Sequence, residues 1–172
     1  DIVVSHRHLH ITYSSMKHSD KMFMGMTTSP KNAEDVLDMA EILFGKDFLE
    51  TNPAVTGNCN GNSPLVWDQT MLGAMRAFNR RNQPVLCSPF VLGGANTPAS
   101  TAAAVAQLNA EALSALAYTQ VVRKGCPAIY GHYLSTVSMQ SGAPMAGTPE
   151  ISLMNFMIGQ MARSYKVPWR TS

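Results

Sequence analysis

A chain of 172 residues has room for one domain with a real core and little beyond it. Its formal net charge of +2 gives no grip on nucleic acid or an anionic membrane, and no run of about 18 apolar residues offers a membrane span. Hydrophobic residues make up 45% and charged residues only 14%, well below the usual quarter or so, so much of the surface must be covered by something. The start at Asp1 and the strand-like residues 166–172 then read as the ends of a piece of a longer protein. Cys59, Cys87 and Cys126 are odd in number, far apart and without a Cys-x-x-Cys pair. They read as reduced and packed, which suits the cytoplasm.

Residues 1–18 are ambiguous: Ile2-Val3-Val4 fits a strand end, and residues 9–16 have helical apolar spacing. The first clear strand is 22–26, followed by a helix over 30–44 that stops at Gly45. A second strand over 54–57 leads through the amide-rich loop 58–62 to a helix over 68–79, capped by Ser63 or Asp68. A third strand over 84–88 and the loop 89–96 precede a helix over 98–123, whose many alanines predict close packing. The fourth strand is 128–131, the segment 132–147 reads as a long loop, and a helix runs over 149–165. Ser29-Pro30, Ser63-Pro64, Thr97-Pro98 and Thr148-Pro149 each stand between a strand and a helix. A hydroxyl there accepts from an orphan amide of the first turn, and proline at the next position loses no partnered N–H. Four parallel strand–helix units follow, read as about half of a (β/α)8 barrel and as a single partial domain over 1–172.

In such folds chemistry sits where strands end. His6, His8 and His10 alternate as metal ligands would at a strand end, and a metal-dependent barrel hydrolase is one reading of them. No acidic residue at a strand exit supports them, so a polar face is the plainer reading and no metal site is expected. Gly93-Gly94 follows a strand but lacks the third glycine and later acid of a nucleotide loop. What gathers at the strand exits is amide and aromatic: Asn60, Trp67, Phe90, Asn96, Tyr133 and Gln140, with His132 as the one titratable group. Aromatic faces attract a quaternary ammonium, and amides with helix N-termini hold a carboxylate. A non-catalytic binder of betaine-like solutes would use the same set.

The runs 62–68 (Asn-Ser-Pro-Leu-Val-Trp-Asp), 83–89 (Gln-Pro-Val-Leu-Cys-Ser-Pro), 93–98 (Gly-Gly-Ala-Asn-Thr-Pro), 127–131 (Pro-Ala-Ile-Tyr-Gly) and 141–150 resemble the trimethylamine:corrinoid methyltransferase family. The likeness covers essentially the whole chain, although members are much longer. It implies a (β/α)8 barrel that passes a methyl group from a methylated amine to the Co(I) of a separate corrinoid protein, with no cofactor bound directly. Trimethylamine-specific members carry pyrrolysine. None stands in this sequence, which favours the branch acting on quaternary amines such as glycine betaine. On this reading His132 is the catalytic candidate, by donating a hydrogen bond or tuning local charge, and the six residues above bind substrate. A half-barrel also implies pairing with a second copy or with the rest of the barrel.

Overall fold

A computed structural model describes residues 2–171, which pack as two compact units. The first comprises residues 2–59, 68–86 and 118–128, the second residues 60–67, 87–117 and 129–171.

In the first unit a 3-10 turn (Val4–His6) leads into α1 (Arg7–His18), so the opening segment is helical and not a strand end. Strand β1 (Phe23–Gly25) pairs in parallel with β2 (Val55–Gly61), Phe23 opposite Val55 and Gly25 opposite Gly57. The start of β3 (Val85–Gly93) follows β2 in the sheet, and the Gly57 N–H donates to the Pro84 carbonyl at 3.0 Å. Helix α2 (Pro30–Phe44) packs on α4 (Gln69–Arg80), and α1 on α2. Ala33, Val36, Leu37 and Ala40 recur at helical spacing along α2 and are all buried, as are Ala74, Met75, Ala77 and Phe78 of α4. Gly45 takes a positive φ of 85° and ends α2. It also opens a short helix, α3 (Lys46–Thr51), that the sequence reading did not foresee.

The Phe78 ring lies flat against the sheet because two glycines make room for it. A Cβ on Gly57 would stand 3.0 Å from the ring, and one on Gly25 would meet Val36 at 2.8 Å and Phe78 at 3.1 Å. Gly57→Ala should therefore cost about 1–3 kcal/mol of stability, the usual penalty for overpacking a filled core. Urea denaturation checks this; an unchanged midpoint would mean that the ring can slide away freely.

In the second unit β3 precedes β4 (Ala128–Gly131), which pairs in parallel with β7 (Trp169–Arg170). Residues 132–147 are not one loop. Strand β5 (Tyr133–Val137) pairs in parallel with the outer end of β3, and turns back antiparallel onto β6 (Pro144–Met145). Helices α5 (Thr101–Val122) and α6 (Pro149–Tyr165) cover this sheet. Val91, Ala104, Leu108, Ala112, Tyr130, Leu134, Met154, Ile158 and Ala162 form its core. Of the alanines of α5 only Ala104, Ala112 and Ala115 are buried, whereas Ala102, Ala106, Ala110 and Ala117 are exposed. Close packing is confined to one stripe, and the helix is less enclosed than its composition suggests.

The Ser/Thr-Pro pairs divide two against two. Ser29 caps α2, its hydroxyl accepting from the Asn32 N–H at 3.0 Å with Pro30 in the first turn; Thr148-Pro149 opens α6 with the proline in place, but the Thr148 hydroxyl makes no capping hydrogen bond. Ser63-Pro64 opens no helix: α4 starts at Gln69, capped by Asp68, whose Oδ1 accepts from the Met71 N–H at 2.7 Å. Thr97-Pro98 lies ahead of α5, which starts at Thr101. β2 and β3 each run further than expected, to Gly61 and Gly93. The alternation of parallel strands with helices is nonetheless the α/β pattern that half of a (β/α)8 barrel requires. Among the described residues no helix is long and apolar enough to cross a membrane.

Candidate substrate site

The parallel ladder between β3 and β5 sets Phe90 opposite Tyr133. Opposite residues send their side chains to the same face, and the next pair, Val91 and Leu134, turns inward and is buried. Phe90 and Tyr133 turn outward, each 39% exposed, with rings stacked at 4.7 Å and only 5° apart in plane. The result is a flat aromatic platform made by the outer half of β3 and the first residue of β5, just past the carboxyl end of β4.

Asn96 fixes the end of that platform. Its Oδ1 accepts from the Leu92 N–H at 2.6 Å and its Nδ2 donates to the Phe90 carbonyl at 2.8 Å. The amide is thus spent largely on holding the strand end in shape. Trp67 packs beside Gly61, where a Cβ would stand 3.3 Å from the indole and 3.5 Å from Pro89 Cα, so a side chain there would press on the ring. Asn60, the residue before Gly61, is exposed at the end of β2. Five of the six binding candidates therefore belong to neighbouring strand ends and loops of the second unit. Gln140 does not join them: it is exposed in the turn between β5 and β6, beyond Val137, itself about 13 Å along the strand from Tyr133.

His132 sits between β4 and β5 and is wholly buried. Its ring lies 6.3 Å from that of Trp169 and nearly parallel to it. Neither ring nitrogen has a hydrogen-bond partner. Burial first, and then the charge of Arg170, pushes its pKa down to about 4, so the imidazole is neutral near pH 7. A neutral ring can donate from one nitrogen and accept at the other, and adds no positive charge that would repel a cationic ligand.

The N-terminal histidines do not converge. His8 is buried with its Nε2 2.9 Å from Asp35 Oδ2, while His6 and His10 are exposed. Among the described residues no group of three His, Cys, Asp or Glu side chains is placed to hold a metal ion. The hydrolase reading of His6, His8 and His10 loses its ligand set here.

One residue of this region escaped the sequence reading. Glu111 of α5 is buried, and its carboxylate and carbonyl gather the loop of residues 63–67. Its spacing from Leu108, Ala112 and Ala115 puts it on the buried stripe of the helix, and a carboxylate there had to have a purpose.

Parallel strand–helix units with aromatic side chains at the strand ends are the setting in which the α/β barrel class keeps its ligands. The profile of the trimethylamine methyltransferase (MTTB) family matches residues 1–172, and the chain belongs to that family. Among curated proteins it is 39% identical to glycine betaine methyltransferase of Desulfitobacterium hafniense (strain Y51), over 99% of this chain and 36% of that protein. It is 26% identical to proline betaine:corrinoid methyltransferase of Eubacterium limosum, over 91% of this chain and 33% of that protein. To trimethylamine methyltransferase MttB of Desulfitobacterium hafniense (strain DSM 10664 / DCB-2) it is also 26% identical, over 87% of this chain and 30% of that protein. The chain spans about a third of the length of these relatives.

Proposed function

We propose that this chain is part of a barrel domain that moves a methyl group from a methylated amine to the Co(I) of a corrinoid protein. A quaternary amine such as glycine betaine fits the site better than trimethylamine. The observation that carries the substrate class is the stacked Phe90–Tyr133 platform. Aromatic faces attract a quaternary ammonium by roughly 0.5–2 kcal/mol, more as water is excluded. The names of the relatives support both the methylated amine and the corrinoid acceptor.

The reaction asks little acid–base work of the protein. The acceptor supplies the electron pair of the new carbon–cobalt bond, and the electrons of the broken C–N bond leave with a now neutral amine. No proton has to move when the donor is already quaternary. The chain's own residues must bind the ammonium, turn one methyl group toward the acceptor and keep water out. Trp67, Phe90 and Tyr133 hold the cation. Asn60 offers an amide to a carboxylate at the other end of the ligand, and Asn96 keeps the Phe90 strand end rigid. His132, neutral and buried, adds no positive charge that would oppose the substrate's own. The same reading puts the protein in the cytoplasm, a reducing compartment that suits three buried cysteines outside any disulfide. It also pairs this part with a second copy or with the rest of a barrel.

The test is the full-length enzyme with reduced corrinoid protein and a panel of glycine betaine, proline betaine and trimethylamine. Conversion of the Co(I) absorption spectrum to that of the methylated corrinoid identifies the donor. No conversion with any amine would defeat the enzyme reading, and affinity without conversion would leave a solute binder. Phe90→Ala should raise KM for the preferred amine about 10-fold and change kcat far less, since the platform holds ground and transition states alike.

A further inference from the structure

Glu111 is 2% exposed, so its carboxylate has left water and must be repaid by hydrogen bonds. Its Oε2 accepts from the Ser63 hydroxyl at 2.5 Å. Its Oε1 accepts from the Leu65 N–H at 2.9 Å and from Gln107 Nε2 at 2.9 Å. All three donors are neutral. The main-chain carbonyl of the same residue accepts from the Trp67 indole N–H at 3.3 Å. One helical residue thus collects three groups from a stretch of five, residues 63–67, whose backbone turns through a positive φ of 59° at Leu65. A loop carrying a non-glycine residue in that conformation needs its surroundings to hold it there.

We propose that Glu111 is the positioning residue of the substrate site. Its carboxylate clamps the 63–67 loop and its carbonyl orients the Trp67 indole toward the ammonium of the methylated amine. The inference rests on the methylated-amine reading of the site and extends it to the residue that sets its geometry. The clamp acts in two ways. It fixes an aromatic ring before substrate arrives, so that less freedom is lost on binding. It also aims an indole N–H at an oxygen beside a fixed negative charge, which enriches the ring face in electron density and strengthens its pull on a cation. A neutral anchor would give the first effect and much less of the second.

The test uses the full-length enzyme, its corrinoid partner and the amine it prefers. Glu111→Gln and, separately, Ser63→Ala should each raise KM at least about 5-fold while kcat stays within about 3-fold. In a Trp67→Ala background the Glu111→Gln change should raise KM no further, because both substitutions remove one interaction. Hydrogen exchange at the Leu65 amide, slow in the parent and fast in Glu111→Gln, reports the clamp without reference to activity. Unchanged KM in both single variants overturns the proposal, as does an undiminished effect in the Trp67→Ala background, which would mark Glu111 as structural only. If Glu111→Gln fails to fold, Ser63→Ala decides alone. A parent enzyme that methylates no corrinoid with any amine defeats the functional reading instead, and the exchange experiment still reads the clamp.

Discussion

Gln83→Met should lower the stability of the chain by about 3–5 kcal/mol, an effect of the size seen when several buried polar groups lose their partners together. Gln83 is completely buried just before β3, in a place where sequence alone suggests an ordinary turn residue. Its Oε1 accepts from two consecutive amides, Ala54 at 2.8 Å and Val55 at 3.1 Å, where β2 begins. Its Nε2 donates to the Leu49 carbonyl at 2.7 Å and to that of Asn52 at 3.1 Å, where α3 ends. One side chain therefore closes the main-chain account of a whole helix-to-strand connection. Methionine keeps the volume and the flexibility and supplies neither donor nor acceptor, so the loss measures the hydrogen bonds and not a cavity. Urea denaturation of parent and variant gives the number. A loss under about 1 kcal/mol would show that water enters and replaces the amide.

Acid should destabilise the chain through His132. Its pKa lies near 4 in the folded state against an ordinary value of 6.5, so the unfolded chain takes up the proton first as pH falls. The contribution of the neutral ring is complete above about pH 6.5 and disappears progressively from there to about pH 4. Below that both states are protonated and nothing more is lost. At about 1.4 kcal/mol for each unit, the whole window is worth about 3 kcal/mol. His132→Leu removes the titrating group and should flatten this part of the stability profile. Denaturation midpoints at intervals between pH 7 and 4 make the comparison. Equal slopes in parent and variant would assign the acid sensitivity elsewhere.

The parts of the fold that the sequence made legible are those decided by near neighbours. The extent of α2 follows from Ser29-Pro30 at one end and Gly45 at the other, and α6 runs over 149–165 as its apolar spacing requires. Ser63-Pro64 shows where such reasoning ends. Its hydroxyl is claimed by a carboxylate 48 residues away, and Asp68, closer to the apolar run, takes over the cap. The strands β5 and β6 were invisible for a related reason: short, mixed segments become strands only because β3 offers an edge. Phe90, Tyr133, Trp67 and Asn60 stand out as candidates because strand exits can be read from composition. The register that stacks Phe90 on Tyr133, and the hold of α5 on the loop of Trp67, are decided by distant parts of the chain.

The three cysteines lie in or beside β2, β3 and β4, and all three are buried without disulfides. Burial, with the Asp68 charge behind it, pushes the Cys59 thiol up to about 12, and burial raises that of Cys126 as well. Such thiols are shut against alkylating reagents for as long as the strands around them stay closed. The chain therefore carries its own clocks: the rate at which iodoacetamide marks each cysteine measures how often that stretch of sheet breathes open, strand by strand, without any engineered label.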